Sequence, residues 1–142
     1  MKHLHLLLIA ALLVLSTGCR SGAPDPDAPK TLRVLTYNIH HGEGMDGQFD
    51  YERLASVIQS VSPDLVALQE VDNATGRSGG IDQAAVLGEL TGMNYHFAQA
   101  MPFSGGGYGE AVLSRFAIEQ AWTIPLSCEQ GQEPRAVAAV RV

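Results

Sequence analysis

The sequence is poor in cysteine, in aromatic residues and in positive charge. Of its 142 residues two are cysteines and 6% are aromatic, and the formal net charge is −6. The two cysteines are Cys19 and Cys128. If Cys19 is lipidated, as the start of the chain suggests, Cys128 is the only free cysteine and no internal disulfide can form. The sequence has no stripe of basic residues that could bind a polyanionic duplex, so nucleic acid is not the favoured partner. No Gly-Lys-Ser/Thr follows the glycine-rich stretches, which excludes a nucleotide-type phosphate loop.

The one long hydrophobic run lies at the start of the chain. Residues 1–18 have a weakly positive beginning, an almost unbroken apolar stretch and small residues before Cys19. This resembles a bacterial lipoprotein signal peptide, in which that cysteine is lipidated and becomes the first mature residue. Ser16 departs from the pattern, which most often has Leu there. The alternatives are an ordinary signal peptide cleaved nearby and, less favoured, a retained membrane anchor.

An extended tether is predicted to follow the signal. Residues 19–30 include three prolines and two aspartates and no large apolar side chain, so they cannot form a core. We therefore expect an exported protein, anchored by lipid to the bacterial cell envelope at its periplasmic or outer surface. The membrane is the partner that this anchor implies, and no protein partner is predicted. The globular part then comprises residues 31–142.

The globular part begins with a strand, a helix and a second strand. Residues 33–37 are rich in strand formers, and 64–68 form a short continuous apolar run. Between them, Asp50 suits a helix N-cap and Pro63 ends the helix. Its predicted apolar face comprises Leu54, Val57, Ile58 and Val61. A right-handed crossover with parallel strands is the expected arrangement.

Further elements follow in the same α/β pattern. A second helix is predicted over 82–91, with Gly92 as its stop, and strands over 95–99, 111–114, 118–124 and 136–142. Glycine-rich residues 73–80 and 104–107 are predicted to be flexible or mobile loops.

Two polar residues mark the ends of the first two strands. Asn38 follows the first and Glu70 follows the second. If these strands are parallel neighbours, the amide and the carboxylate meet at one sheet edge, where α/β sheets place ligands. Mg²⁺ needs only one or two carboxylates plus water and phosphate oxygens, so Glu70 is a candidate ligand. A solvated, strand-terminating acid is the alternative on spacing alone.

Adjacent histidines follow this first strand. Neighbouring residues of a strand point to opposite faces, so His40 and His41 are not expected to bind one ion together. One of them is a candidate contact of the substrate.

Four stretches, in this order and spacing, resemble the endonuclease/exonuclease/phosphatase family of Mg²⁺-dependent phosphoesterases. They are LRVLTYNIH (32–40), PDLVALQEVD (63–72), YGEAVLSR (108–115) and EPRA (133–136). The resemblance implies an α/β fold: a mixed sheet flanked by helices, half of a four-layer sandwich whose C-terminal part is incomplete here. The family's later T-H-L, G-D-x-N and S-D-H stretches do not occur in this sequence.

The resemblance also assigns roles to four residues. Glu70 is implied as the Mg²⁺ ligand, with Mn²⁺ as the alternative ion, and Asn38 as part of the metal and phosphate site. Glu110 matches a carboxylate that partners a catalytic histidine in some members, although many members have Asn there. Arg135 matches a contact of the substrate phosphate, and a surface arginine is the equal alternative. The implied activity is hydrolysis of a phosphate ester by metal-assisted water attack; the alternative is a non-catalytic fragment or pseudoenzyme.

Overall fold

The computed structural model describes residues 31–142, so the predictions of a signal, lipidation and a tether lie outside the described residues. In chain order the elements are β1 (Val34–Asn38), a 3₁₀ turn (His40–Gly42), α1 (Tyr51–Ser60), β2 (Leu65–Asn73), α2 (Gln83–Thr91), β3 (Asn94–Phe103), β4 (Gly106–Ser114), β5 (Gln120–Pro125) and β6 (Ala136–Arg141). No helix among these residues is both long and apolar enough to cross a membrane.

The strands form one mixed sheet and one separate hairpin. The sheet has the order β1-β2-β4-β3, in which β1 and β2 are parallel and the other neighbours are antiparallel. Strands β5 and β6 pair with each other as an antiparallel ribbon. The predicted α/β class and the parallel β1–β2 crossover are confirmed, and this crossover brings the ends of β1 and β2 to the same edge.

Both helices begin and end where local chemistry directs them. The Asp50 carboxylate accepts a hydrogen bond from the Arg53 amide at 2.8 Å and so caps α1. Asp82 caps α2 in the same way through the Ala85 amide, at 3.0 Å. Gly92 ends α2 in the left-handed region with φ of 69°, where glycine has no steric penalty. The predicted cap Asp50 and stop Gly92 are confirmed.

One hydrophobic core joins the helices to the sheet. Ile58 of α1 and Leu87 of α2 are fully buried, together with Leu68 of β2 and Leu113 of β4. Each such side chain contributes on the order of 1.5–3 kcal/mol to folding by its removal from water. The core therefore fixes the helices against the central strands, whose ends carry the candidate site.

The predicted face of α1 is partly wrong. Ile58 is buried, but Val57 and Val61 are 45% and 44% exposed. The helix buries Ala55 beside Ile58 instead. The periodicity gave the correct helix but not its rotation, because α1 packs chiefly against α2.

The central strands are irregular beside the candidate site. The β2–β4 register shifts between Leu68 and Val71, and the β3–β4 register shifts between Gln99 and Met101. Gly109 of β4 faces both irregularities, since it pairs with Val71 on one side and Gln99 on the other. A Cβ atom on Gly109 would lie 2.1 Å from the Ala98 carbonyl oxygen, which is backbone and cannot rotate away.

Gly109→Ala is therefore expected to lower the free energy of unfolding by about 1–3 kcal/mol, the usual cost of overpacking. Urea denaturation followed by circular dichroism measures this change. A Gly→Ala change without a clash stabilises a chain by about 0.4–1 kcal/mol through the unfolded state. An unchanged or raised midpoint would thus show that the strands separate freely at this position.

Candidate metal and phosphate site

Asn38 and Glu70 meet at the carboxyl end of the parallel strands. Asn38 pairs in register with Gln69, which places it beside the next residue of β2. The Asn38 Nδ2 atom donates a hydrogen bond to Glu70 Oε1 at 2.7 Å. The Asn38 Oδ1 atom accepts one from the His40 amide at 2.9 Å. The predicted meeting of amide and carboxylate is confirmed, and Asn38 in addition ties the following turn to the strand.

Glu70 does not end its strand. Strand β2 continues to Asn73, and Glu70 lies within its irregular part with φ of 58°. A non-glycine residue in this left-handed region is uncommon and carries strain, which often accompanies functional positions. The irregularity takes Glu70 out of the alternation of the strand, so that its carboxylate reaches Asn38 of the neighbouring strand.

The two histidines lie together, contrary to the expectation for adjacent strand residues. His40 and His41 are in a 3₁₀ turn with φ of 49° and 43°, and their ring centroids are 4.3 Å apart. One ring nitrogen from each and one Glu70 carboxylate oxygen lie within 4.8 Å of one another. The expectation that the two side chains point to opposite faces was wrong because it assumed a strand, whereas successive left-handed residues bring both rings to the same side.

Glu110 is a partly buried carboxylate beside this group. Its Oε2 atom is buried and has no hydrogen-bond partner among the described residues. Burial raises the pKa of Glu110 above its usual range, while the Arg135 charge and the Glu70 amide act in the opposite direction and the Glu70 charge adds to the rise. The carboxyl group can thus hold a proton more readily than a free glutamate, and its orphaned oxygen is available to a further group.

Arg135 lies at the same end of the sheet, just before β6. Its guanidinium donates a long hydrogen bond of 3.4 Å to the Tyr108 hydroxyl and pairs with Glu133 at 3.1 Å. The Arg135 side chain is 46% exposed. The structure therefore places Arg135 near Glu110 and Tyr108, with much of its charge open to solvent.

Tyr108 was not singled out from the sequence. It is 7% exposed and lies between two guanidinium groups, those of Arg77 and Arg135, at 5.4 and 5.8 Å from its ring. Burial raises the pKa of the Tyr108 hydroxyl, which the Arg135 hydrogen bond partly offsets, so this hydroxyl stays a neutral donor at pH 7. Its place within the YGEAVLSR stretch, two residues before Glu110, was the signal that could have found it.

A buried hydrogen-bond network replaces the flexible loop predicted for residues 73–80. Arg77 binds both carboxylate oxygens of Asp72 at 2.8 Å, and Thr75 donates to the same carboxylate at 2.5 Å. Thr75 and Ser78 are buried, at 0% and 5% exposure. The glycines led to the prediction of a flexible loop. The ordered network could not be predicted, because hydrogen bonds to a buried aspartate leave no periodic pattern in the sequence.

Gln83 joins this network to the histidine turn. The side chain is fully buried at the start of α2. Its Oε1 atom accepts from the Asp72 amide at 2.9 Å, and its Nε2 atom donates to the His41 carbonyl at 2.6 Å. Gln83 thus fixes the spacing between β2, just after Glu70, and the turn that carries both histidines. A polar residue in the first turn of a helix gave no signal of this role.

A cavity of about 530 Å³ is lined by the end of β1, the residues that follow it and part of α1. Asn38 and His40 of the candidate site line it, as does the Asp46–Arg53 ion pair, whereas Glu70, Glu110 and Arg135 do not. The cavity thus touches the candidate site only at Asn38 and His40.

A family model supports the resemblance. The model described as "Endonuclease/Exonuclease/phosphatase family" matches residues 35–139. The chain therefore belongs to the endonuclease/exonuclease/phosphatase family. A comparison with curated proteins gave no match.

Solved structures show the same fold. An endonuclease/exonuclease/phosphatase from Beutenbergia cavernae DSM 12333 is 30% identical with a TM-score of 0.63, covering 77% of this chain and 33% of that one. A family protein from Leptotrichia buccalis C-1013-b is 19% identical with a TM-score of 0.60, covering 78% and 48%. The mannosyl-6-phosphatase Bt3783 of Bacteroides thetaiotaomicron VPI-5482 is 22% identical with a TM-score of 0.51, covering 73% and 38%. The chain thus spans a third to a half of the length of these proteins, as expected for part of the family's sandwich.

Proposed function

We propose that this chain supplies the metal- and phosphate-binding part of an exported phosphoesterase. The observation that carries the proposal is the 2.7 Å hydrogen bond between Asn38 and Glu70 at the carboxyl end of two parallel strands. Besides burial, the charges of Glu70 and Arg135 both shift the pKa values of Glu110 and Tyr108. These residues therefore lie close to one another. Anionic and cationic groups at one edge suit a ligand that combines a cation with a phosphate.

The residues fit a divalent ion such as Mg²⁺, or alternatively Mn²⁺. Glu70 offers a carboxylate whose second oxygen is left free by the Asn38 bond. A hard divalent ion prefers such oxygen ligands and retains several waters. When bound, the ion would neutralise charge on the phosphoryl oxygens and favour attack by water. Asn38 holds the Glu70 carboxylate in place, and its own direct contact with the ion remains a prediction.

The positive and neutral donors suit the phosphate. Arg135 presents a partly exposed guanidinium, whose planar fork matches phosphate oxygens. Tyr108 keeps its hydroxyl proton at pH 7 and can donate it as a hydrogen bond to the same group. Glu110 is the residue proposed to act in proton transfer, as the carboxylate partner of a histidine outside this chain.

The proposed setting is the bacterial cell envelope, with lipid at Cys19 as the anchor. The acidic net charge of −6 disfavours duplex nucleic acid as the substrate, and the class of phosphate ester stays open. The alternative is a non-catalytic fragment that binds a metal ion or a partner. A reading frame that continues past Val142 into G-D-x-N and S-D-H favours the enzyme; a stop codon there favours the fragment.

Glu70→Ala tests the proposal in the complete product of the gene. Mg²⁺-dependent hydrolysis of p-nitrophenyl phosphate and bis-p-nitrophenyl phosphate is expected to fall about a thousandfold, since a lost metal ligand removes several kcal/mol of transition-state stabilisation. Glu70→Gln keeps the Asn38 contact but not the charge, and should lose a similar factor.

The control is Glu89→Ala, an exposed glutamate on α2 that takes no part in the site. Its hydrolysis rate should equal that of the unmodified protein. Unchanged activity of Glu70→Ala, with an unchanged circular dichroism spectrum, would remove Glu70 from the site and overturn the proposal.

A further inference from the structure

We propose that His40 and His41 join Glu70 in a site for a zinc-class divalent ion. The inference rests on the proposed metal role of Glu70 but not on the reaction. Two imidazole nitrogens and one carboxylate oxygen form a donor set that Zn²⁺ and related transition metals prefer to Mg²⁺, which favours oxygen ligands. The two histidines would then favour Zn²⁺ over Mg²⁺ at this end of the sheet, and Glu70 would be a ligand for either ion.

The ligand atoms are already close together. One nitrogen of each ring and one oxygen of Glu70 lie within 4.8 Å of one another. In a tetrahedral zinc site with bonds of ~2.1 Å, ligand atoms are ~3.4 Å apart, so the group needs to close by about 1.4 Å at most. His40 is exposed, so a small adjustment of its ring does not displace the core.

Glu43 orients both rings from behind. Its carboxylate oxygen contacts His41 Nε2 at 3.1 Å, and its backbone carbonyl contacts His40 Nδ1 at 3.3 Å. Histidines that bind metals almost always direct their second ring nitrogen to a carboxylate or a backbone carbonyl, which fixes the tautomer and the ring orientation. The nitrogens left for an ion are therefore His40 Nε2 and His41 Nδ1. Glu43 thus supplies a backbone carbonyl to one histidine and a carboxylate to the other.

The backbone of the turn is held from both sides. Asn38 Oδ1 accepts the His40 amide, and Gln83 Nε2 donates to the His41 carbonyl. Gly42, at φ of 83°, has Gln83 Nε2 only 2.8 Å from where a Cβ atom would lie, so a larger residue would displace this contact. The turn is consequently fixed in the conformation that puts the two rings beside Glu70.

The test is Zn²⁺ binding by untagged protein, measured by isothermal titration calorimetry, with Co²⁺ absorption spectra as a second readout. His40→Ala and His41→Ala are each expected to weaken Zn²⁺ binding at least tenfold and to leave Mg²⁺ affinity unchanged. His40→Gln and His41→Gln retain a polar side chain and should lose a similar factor. Glu43→Gln is expected to weaken Zn²⁺ binding by about 10–100-fold, the usual effect of removing an outer partner. A Co²⁺ spectrum that changes on titration should be lost in the histidine variants.

His96→Ala is the control, because His96 lies on β3 and contacts Thr123 of the β5–β6 hairpin. Zn²⁺ affinity that stays the same in both histidine variants, or falls no further than in His96→Ala, would overturn the inference. So would Zn²⁺ binding that survives in Glu70→Ala. Failure of the proposed function can be distinguished from failure of this inference. In that case Glu70→Ala would retain Mg²⁺-dependent hydrolysis, whatever Zn²⁺ affinity the histidine variants show.

Discussion

Arg77→Ala is expected to lower the free energy of unfolding by about 3–5 kcal/mol. Arg77 binds both oxygens of Asp72, whose side chain is fully buried, and its guanidinium also lies 4.3 Å from the centre of the Phe103 ring. Without the guanidinium, a carboxylate in the interior keeps only the Thr75 hydroxyl as its side-chain partner. Urea denaturation at pH 7, followed by circular dichroism, measures the change.

Arg53 provides a matched control. It also binds both oxygens of one aspartate, Asp46, at 2.7 and 3.2 Å, but both side chains are about half exposed. Exposed pairs of this kind contribute little to stability, because water and salt screen them. Arg53→Ala should therefore lower the stability far less than Arg77→Ala does. Equal effects of the two substitutions would contradict the importance given to the buried pair.

The buried Arg77–Asp72 pair also predicts a pH dependence of stability. Burial alone would raise the pKa of Asp72, but its hydrogen bonds with Arg77 and Thr75 outweigh burial and lower the pKa below its usual value. The unfolded pKa is about 3.9, so this stabilisation is complete above that pH and is lost as the pH falls through the lower folded pKa. In Arg77→Ala the burial effect remains and the guanidinium is gone. The stability difference between the two proteins should consequently be largest near pH 7 and shrink below pH ~4, measured by urea midpoints across this range.

Gln83→Leu is expected to lower stability by about 2–6 kcal/mol and also to weaken metal binding. The substitution leaves the Asp72 amide and the His41 carbonyl without their partner, and each unpaired buried group costs about 1–3 kcal/mol. The histidine turn also loses its only side-chain link to the start of α2 among the contacts described. We therefore expect Zn²⁺ affinity to fall at least tenfold, measured by calorimetry under conditions where the variant is folded.

Gln83→Glu keeps the shape of the side chain but not its amide donor. A carboxylate at this fully buried position faces the His41 carbonyl oxygen without a cationic partner, so at pH 7 the variant should lose at least as much stability as Gln83→Leu. Gln59→Leu is the control, since Gln59 donates to a carbonyl of α2 from an exposed position on α1. If Gln83→Leu unfolds at the same urea concentration as Gln59→Leu, Gln83 does not link the turn to β2.

Much of the fold could be predicted from the sequence. The caps at Asp50 and Gly92 and the parallel pairing of β1 with β2 follow from local chemistry and from the short strand–helix–strand connection. Strand ends could be predicted less well, since β2 and β3 continue past the apolar runs that marked them. Apolar runs report burial, whereas a strand continues as long as its neighbours offer backbone hydrogen bonds.

The candidate site divides in the same way. The sequence by itself predicted that Asn38 and Glu70 would meet, because the parallel pairing of β1 with β2 ends at one edge. The irregular backbone that brings the Glu70 carboxylate to Asn38 was decided only by the tertiary structure. Only the tertiary structure decided that His40 and His41 lie on the same side, since left-handed backbone at two adjacent residues has no periodic signal. It alone placed Gln83 between the histidine turn and β2 and made Arg77 the partner of a buried carboxylate. Such contacts join residues distant in the chain, and their energies depend on burial, which exists only after the chain has folded.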